Sequence, residues 1–310
     1  MKLFVAKILV CPKCLPKEVS LICREEQSEG DDVWKGYLQC PSCSTRFPIT
    51  EGIADLTIAG GIDGLRSQSK YETEEVVSSY LWSHYADLFS DPEATDAYNR
   101  WAALIKTGLG FALDAGCAVG RFAFELARKK SSVVGFDISR SFIRKARELL
   151  VNRGIEFSLK EEGLITRRQT IELPSTWNTD NLEFIVADAR LLPFAGGAFS
   201  SISSLNIVDK LPKPLEHLAE MNRVASQFQS EFLVSDPFSW SSEVADAKDW
   251  LGGVGEGRNA GRGLDNLEYI LKQTFNPPWY VEERGSVWWK IRNHANHYEL
   301  IRSCFIKAVR

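Results

Sequence analysis

The chain has 310 residues, 44% of them apolar, 25% charged and 11% aromatic, with a net charge of −4. That balance excludes a disordered or collagen-like chain and provides no strongly basic footprint for nucleic-acid backbones. No run of 18 uninterrupted apolar residues occurs, so no membrane-spanning helix is expected, and the length suits one large domain beside a small one.

Residues 1–10 read as a strand. Lys7 interrupts the apolar run and no small-residue cleavage site follows, so the expectation is a cytoplasmic protein. Cys11-Pro-Lys-Cys14 and Cys40-Pro-Ser-Cys43 come next, 25 residues apart. Each pair offers two thiolates on a tight turn, and four thiolates suit a tetrahedral zinc with no open position. The metal is therefore expected to be structural. A redox pair would need a βαβ context that the pattern lacks, and Cys23 reads as a small apolar residue outside the set. The reading is a small β-rich zinc-ribbon domain over 1–60, closed by a glycine-containing linker at 58–64. Residues 61–107 then read as linker and helical cap. Val76, Val77, Tyr80, Leu81 and His84 recur at helical spacing, and Asp91-Pro92 reads as the start of a second helix.

From 108 to 310 strands and helices alternate. Strands are expected at 111–114, 132–137, 182–187, 199–205 and 231–236, and helices at 120–129, 139–151 and 214–224. Alternation of this kind specifies a parallel sheet covered by helices. The stretch 157–181 is long for a connection, and its alternating part at 165–171 points to a β-ribbon insertion. The final segments, 279–292 and 297–309, read as an antiparallel hairpin that closes the sheet.

Leu113-Asp-Ala-Gly-Cys-Ala-Val-Gly-Arg121 follows a strand and opens a helix. Glycines 116 and 120 permit a sharp turn and close approach of a ligand to the backbone. Asp137 ends the next strand, where a carboxylate accepts hydrogen bonds from ribose hydroxyls. The loop is not the G-x-G-x-x-G of dinucleotide enzymes. It fits the D-x-G-x-G-x-G pattern of S-adenosylmethionine enzymes, with Asp114, Gly116 and Gly120 in place and Ala118 where the middle glycine often stands. Cys117 and Ile138 complete this part of the cofactor set. In Val186-Ala-Asp-Ala-Arg190, Asp188 is expected near the adenine amino group and the Ala189 amide on a ring nitrogen. Asn206 ends the fourth strand at the pocket mouth, with Asp209 just beyond it. The fold class is thus α/β: a Rossmann-like class I methyltransferase with a mixed seven-stranded sheet, a terminal antiparallel hairpin and an N-terminal zinc ribbon.

Two resemblances sharpen this reading. Ile8-Leu-Val-Cys-Pro-Lys-Cys14 with Cys40-Pro-Ser-Cys43 and the Phe47-Pro-Ile-Thr-Glu-Gly-Ile53 tail resembles the small zinc-ribbon activators of tRNA, rRNA and release-factor methyltransferases. It implies a docking module and a possible protein partner. Tyr71-Glu-Thr73, Tyr80, His84-Tyr85, the glycine loop, Phe136-Asp-Ile-Ser-Arg-Ser-Phe-Ile-Arg144, Asn206-Ile-Val-Asp-Lys-Leu211 and Asp249-Trp-Leu-Gly-Gly253 together resemble the C-terminal methyltransferase domain of ovothiol synthases. That family methylates a ring nitrogen of 5-thiohistidine. The upstream iron-dependent sulfoxide synthase has no counterpart here, and the four histidines form no H-x-x-x-H-x-E set. The resemblance implies a stand-alone N-methyltransferase for a small imidazole, sulfur or selenium analogues included. It places Asn206, Asp209, His84 and Glu72 at the chemistry and Tyr71, Tyr80 and Tyr85 on the substrate wall. Each has a plain alternative as core or cap. The glycine-rich segment 252–263 reads as a lid or a surface loop, with Arg258 and Arg262 on it.

Two rivals remain at this stage. An RNA or protein methyltransferase could dock substrate through the ribbon, but residues 1–60 hold seven basic and eight acidic residues, a poor match to phosphates. A non-catalytic scaffold would not need the intact acids at 114, 137 and 188.

Overall fold

The computed structural model describes residues 1–58 and 71–310; most of the linker expected at 58–64 lies outside the described residues. A four-stranded antiparallel sheet comes first: β1 (Ile22–Glu29), β2 (Asp32–Gln39), β3 (Arg46–Thr50) and β4 (Ile53–Ala54), in that order. The expected first strand is not regular. Residues Val5–Ile8 form a 3-10 turn, and the flanking residues make isolated bridges to Asp32, Phe194 and Ser20. The reason is packing: Val5, Leu9 and Val10 are all buried, which a strand's two-residue alternation cannot achieve on one face.

Two helices follow, α1 (Glu74–Tyr85) and α2 (Ala97–Ala103). Thr73 caps α1 by accepting the Val76 N–H at 3.4 Å, and Glu74 and Glu75 favour its positive end. Asp91 does not open a helix. Its carboxylate accepts the Glu93 N–H at 3.0 Å and the Trp82 indole N–H at 3.0 Å, which closes a turn, and α2 begins six residues later at Ala97.

The seven-stranded sheet contains β5 (Gly108–Ala115), β6 (Lys130–Asp137), β9 (Leu182–Val186), β10 (Phe199–Leu205), β11 (Glu231–Asp236), β12 (Tyr280–His294) and β13 (His297–Val309). Its order is β12-β13-β11-β10-β5-β6-β9. The first five in sequence are parallel and β13 enters antiparallel beside β11. Both β9 and β11 are buried at every residue, as strands covered on two faces must be. The covering helices are α3 (Arg121–Ala127), α4 (Arg140–Asn152), α5 (Pro214–Val224) and α6 (Gly263–Tyr269). Helix α4, expected over 139–151, buries Phe142, Ile143, Ala146, Leu149 and Leu150 as one helical stripe. The expected ribbon insertion is β7 (Gly154–Glu162) paired antiparallel with β8 (Ile165–Glu172). No helix among the described residues is long and apolar enough to cross a membrane.

The cysteine-bearing sheet does not stand apart. Leu9, Leu38, Phe47 and Ile49 join Phe136, Phe194 and Phe199 in one continuous apolar cluster. Strand β4 leads into the free edge of β9, where the Leu56 N–H donates to Val186 O at 2.9 Å. The Arg147 guanidinium fastens the join, reaching Glu183 at 2.5 Å and Asp32 at 2.6 Å.

Candidate functional site

The parallel strands end at one rim, and a cleft opens there. Such crevices arise at the carboxyl ends of strands where neighbouring connections leave in opposite directions. The turn after β5 forms its floor. Gly116 has φ 67°, and a Cβ there would lie 2.4 Å from Ile207. Ala118 adopts φ 46° despite its side chain. Strain of about 1 kcal/mol at such a residue is tolerated when its surroundings fix it. Here they do: the Ala118 N–H donates to Asp137 Oδ2 at 3.0 Å, and the Ser139 N–H donates to Oδ1 at 2.9 Å. Burial raises the Asp137 carboxyl to about 6. Asp114 is also buried, and its acid is raised to about 7 by that burial although Ser203 donates to it at 3.2 Å.

Tyr71, Tyr80, His84, Asp114, Gly116, Cys117, Asp137, Ile138, Asp188, Ala189 and Asn206 all line this cleft. About 970 Å³ of non-atom space lies within it, open solvent at its mouth included. Asn206 turns left-handed at φ 60°, and its buried Oδ1 has no hydrogen-bond partner. Orphaned acceptors of this kind in a cleft fit a ligand that donates to them. Asp188 faces inward but is gripped by Arg190, through Nε at 3.0 Å and Nη2 at 2.6 Å.

One wall is aromatic. The Tyr80 ring centroid lies 4.8 Å from Phe142 and 5.9 Å from His84, and His84 lies 4.5 Å from Tyr98. Burial, with the Arg121 charge adding to it, lowers His84 to about 3, so the ring is neutral at physiological pH. Its Nδ1 is buried without a partner. Burial also drives Tyr80 and Tyr98 well up and Tyr71 to about 12, so all three phenols stay protonated.

Four expected site residues lie elsewhere. Glu72 is exposed and accepts the Ser141 N–H at 3.1 Å, so it caps the first turn of α4. The Tyr85 hydroxyl donates to Val119 O at 2.8 Å inside the core. Gly120 sits at the helix start with φ 87°, where a Cβ would strike Phe184 at 2.6 Å; it shapes the loop without lining the cleft. Asp209 is buried behind the rim, accepting the Ser239 N–H at 2.6 Å. Arg258 lines a separate depression with Lys248 and Asn259, so the glycine-rich segment does not cover this cleft. Sequence reading missed Tyr98, Phe142 and Trp289 as lining residues. Tyr98 and Trp289 belong to elements that reach the rim only through tertiary packing; Phe142 stood in a quoted motif without a role assigned to it.

The four cysteines converge. Their sulfurs all lie within 4.8 Å of one another, with Cys11–Cys43 and Cys14–Cys40 each at 3.7 Å. A tetrahedron with metal–sulfur bonds of about 2.3 Å has edges of about 3.8 Å, so the donor set fits a metal ion closely. Cys23 lies on β1 outside the cluster.

Comparison with known proteins agrees with this geometry. Residues 113–227 match the family model of a methyltransferase domain. The methyltransferase GfsG of Streptomyces halstedii is 30% identical over 113 residues, 36% of this chain and 32% of that protein, so the chain matches about a third of the length of this curated relative. Among solved structures, magnesium protoporphyrin IX methyltransferase from Synechocystis PCC 6803 aligns at 15% identity and TM-score 0.46, over 82% of this chain and all of that one. A chain from the complex of the Haloferax volcanii Trm112 methyltransferase activator with a methyltransferase aligns at 15% identity and TM-score 0.44, over 75% and 95%. Residues 113–227, which carry the glycine loop, Asp137, Asp188 and Asn206, are thus similar to a methyltransferase domain.

Proposed function

We propose that the chain is an S-adenosylmethionine-dependent N-methyltransferase for a small imidazole, of the 5-thiohistidine class or its selenium analogue. The observation that carries this reading is the aromatic wall of Tyr80, His84, Tyr98 and Phe142 standing beside the loop residues Gly116 and Asp137 in one cleft. A flat ring can stack there, and the cation that methylation creates is attracted by aromatic faces.

When bound, the cofactor supplies an already activated methyl group. The protein's work is then positioning and exclusion of water. Asp137 retains lone pairs for ribose hydroxyls beyond the two N–H groups it accepts. Neutral His84 can hydrogen-bond an acceptor ring through Nδ1 without competing as a cation. No strong base is required, because an imidazole above its ordinary pKa of about 6.5 presents a free lone pair.

Within the same reading, residues 1–60 form a ribbon domain whose Cys11, Cys14, Cys40 and Cys43 hold structural zinc. Residues 61–107 form the cap and 108–310 the catalytic domain. The ribbon's docking partner is the chain's own sheet. Reduced thiolates suit the cytoplasm.

The test is methyl transfer from S-adenosylmethionine to 5-thiohistidine, with histidine and total rRNA in parallel, read by mass spectrometry. Product from thiohistidine alone supports the reading. Cofactor binding without transfer to any imidazole sinks the substrate, and transfer to rRNA replaces it.

A further inference from the structure

Helix α5 buries one face, at Pro214, His217, Leu218, Met221 and Val224. That is the stripe of a helix packed on a sheet, with one polar ring set into it. His217 has no exposed surface at all. A ring buried this way costs stability unless both of its nitrogens find partners. They do. Nδ1 lies 3.0 Å from Ala189 O, and Nε2 lies 2.9 Å from Ser204 Oγ. A carbonyl only accepts, so the ring proton sits on Nδ1, and Nε2 accepts from the Ser204 hydroxyl. Burial lowers His217 to about 4, which keeps the ring in this neutral form at physiological pH.

The two partners belong to different parts of the cleft. Ser204 is on β10, next to Leu205 and Asn206, which line it; Ala189 lines it from the turn after β9. That turn is tied down at several points. The Leu191 N–H donates to Asp188 O at 3.1 Å, the Arg190 N–H to Asp188 Oδ1 at 2.8 Å and the Leu192 N–H to Glu220 Oε2 at 2.8 Å. Glu220 stands one turn beyond His217 on α5, so one helix holds the segment twice. The Ala189 N–H has no acceptor among the described residues, although Ala189 is buried. A buried N–H left over in a cleft fits a ligand that accepts from it.

We propose that His217 is a positioning residue for base recognition: by tying Ala189 to Ser204 it fixes the turn whose N–H donates to a ring nitrogen of the cofactor's adenine. The proposal deepens the S-adenosylmethionine reading and rests on it. It makes the main chain the reader of the base, since Arg190 already grips the Asp188 carboxylate at 3.0 and 2.6 Å. A fixed N–H selects a ring nitrogen with a lone pair. Adenine N1 has one, whereas hypoxanthine N1 carries a proton and leaves the donor unpaired.

The experiment measures affinity for S-adenosylhomocysteine and for S-inosylhomocysteine by calorimetry. It compares wild type with His217→Leu, His217→Gln and Ser204→Ala, each checked for folding by thermal denaturation. Wild type is expected to prefer the adenine ligand. His217→Leu is expected to bind that ligand about tenfold more weakly while leaving the hypoxanthine ligand nearly unchanged, so the preference collapses. A glutamine amide has both a donor and an acceptor, so His217→Gln is expected to recover most of it. Ser204→Ala frees one ring nitrogen and is expected to remove part of the preference, a readout that survives if His217→Leu does not fold. Equal weakening of both ligands marks a merely structural residue and overturns the proposal, as does a preference that every folded variant keeps or that wild type lacks. Wild type binding neither ligand overturns the cofactor reading itself, and the proposal with it.

Discussion

Gly116 is the residue on which the loop after β5 turns. A methyl group at this position would meet Ile207 at 2.4 Å with the backbone already left-handed. Gly116→Ala is therefore expected to reduce affinity for S-adenosylhomocysteine at least about tenfold while the protein stays folded, as titration calorimetry would show. His217 gives a second test through pH. It is fully buried, hydrogen-bonds Ser204 at 2.9 Å and Ala189 O at 3.0 Å, and is lowered to about 4 by burial. A histidine lowered on folding stays neutral while the unfolded chain takes up protons, so its contribution is whole above about pH 6.5 and is lost as pH falls toward 4. Wild type should thus lose stability relative to His217→Gln across that window, by on the order of 3 kcal/mol at most. Urea unfolding at pH 7 and pH 5 measures the difference. A constant gap between the two proteins would refute the assignment. Asp114, raised to about 7, acts with the opposite sign, which is why the comparison is between variants.

The N-terminal four-stranded sheet has mostly polar outer residues, which leave it little core of its own. Strand β1 is exposed or half-buried along its whole length. A metal is expected to supply what apolar burial does not. Cys40→Ser should abolish one equivalent of zinc by elemental analysis and lower the melting temperature by several degrees; retained zinc and an unchanged melting curve would exclude the four-cysteine site. The alternating elements from β5 to β11 were legible because each carries its own period, buried strands as apolar runs and α4 as a one-sided stripe. The hairpin was legible from two β-rich segments around a polar turn, and the β7–β8 insertion from the alternation at 165–171. The start of the chain was not, because three buried residues close together look the same in a strand and in a tight turn. The site divided along the same line. Asp137 ends β6, and Asp188 and Asn206 follow within two residues of the ends of β9 and β10, so their place at the rim follows from topology. Glu72, Tyr85 and Asp209 stand beside the rim in sequence, yet a cap, a core hydroxyl bond and a buried acid pair turned them away from it.

At the scale of the molecule, the N-terminal four-stranded sheet and the seven-stranded sheet share one apolar cluster. Deleting residues 1–57 would uncover Phe136, Phe194 and the edge of β9 together. The shortened chain is expected to aggregate on expression, and a monodisperse, cofactor-binding product in size-exclusion chromatography would show that the two parts fold independently. The hydrogen bond from Leu56 to Val186 has a further meaning. Because both residues belong to one polypeptide, the local concentration of the edge-covering segment is set by chain length and not by expression level; tethered segments reach about the millimolar range. Dilution cannot separate them, and an unequal supply of two gene products cannot leave one half without the other. A separate strand seeking Val186 would have to displace a segment that never leaves, so this sheet edge is closed to strangers from the moment the chain has folded.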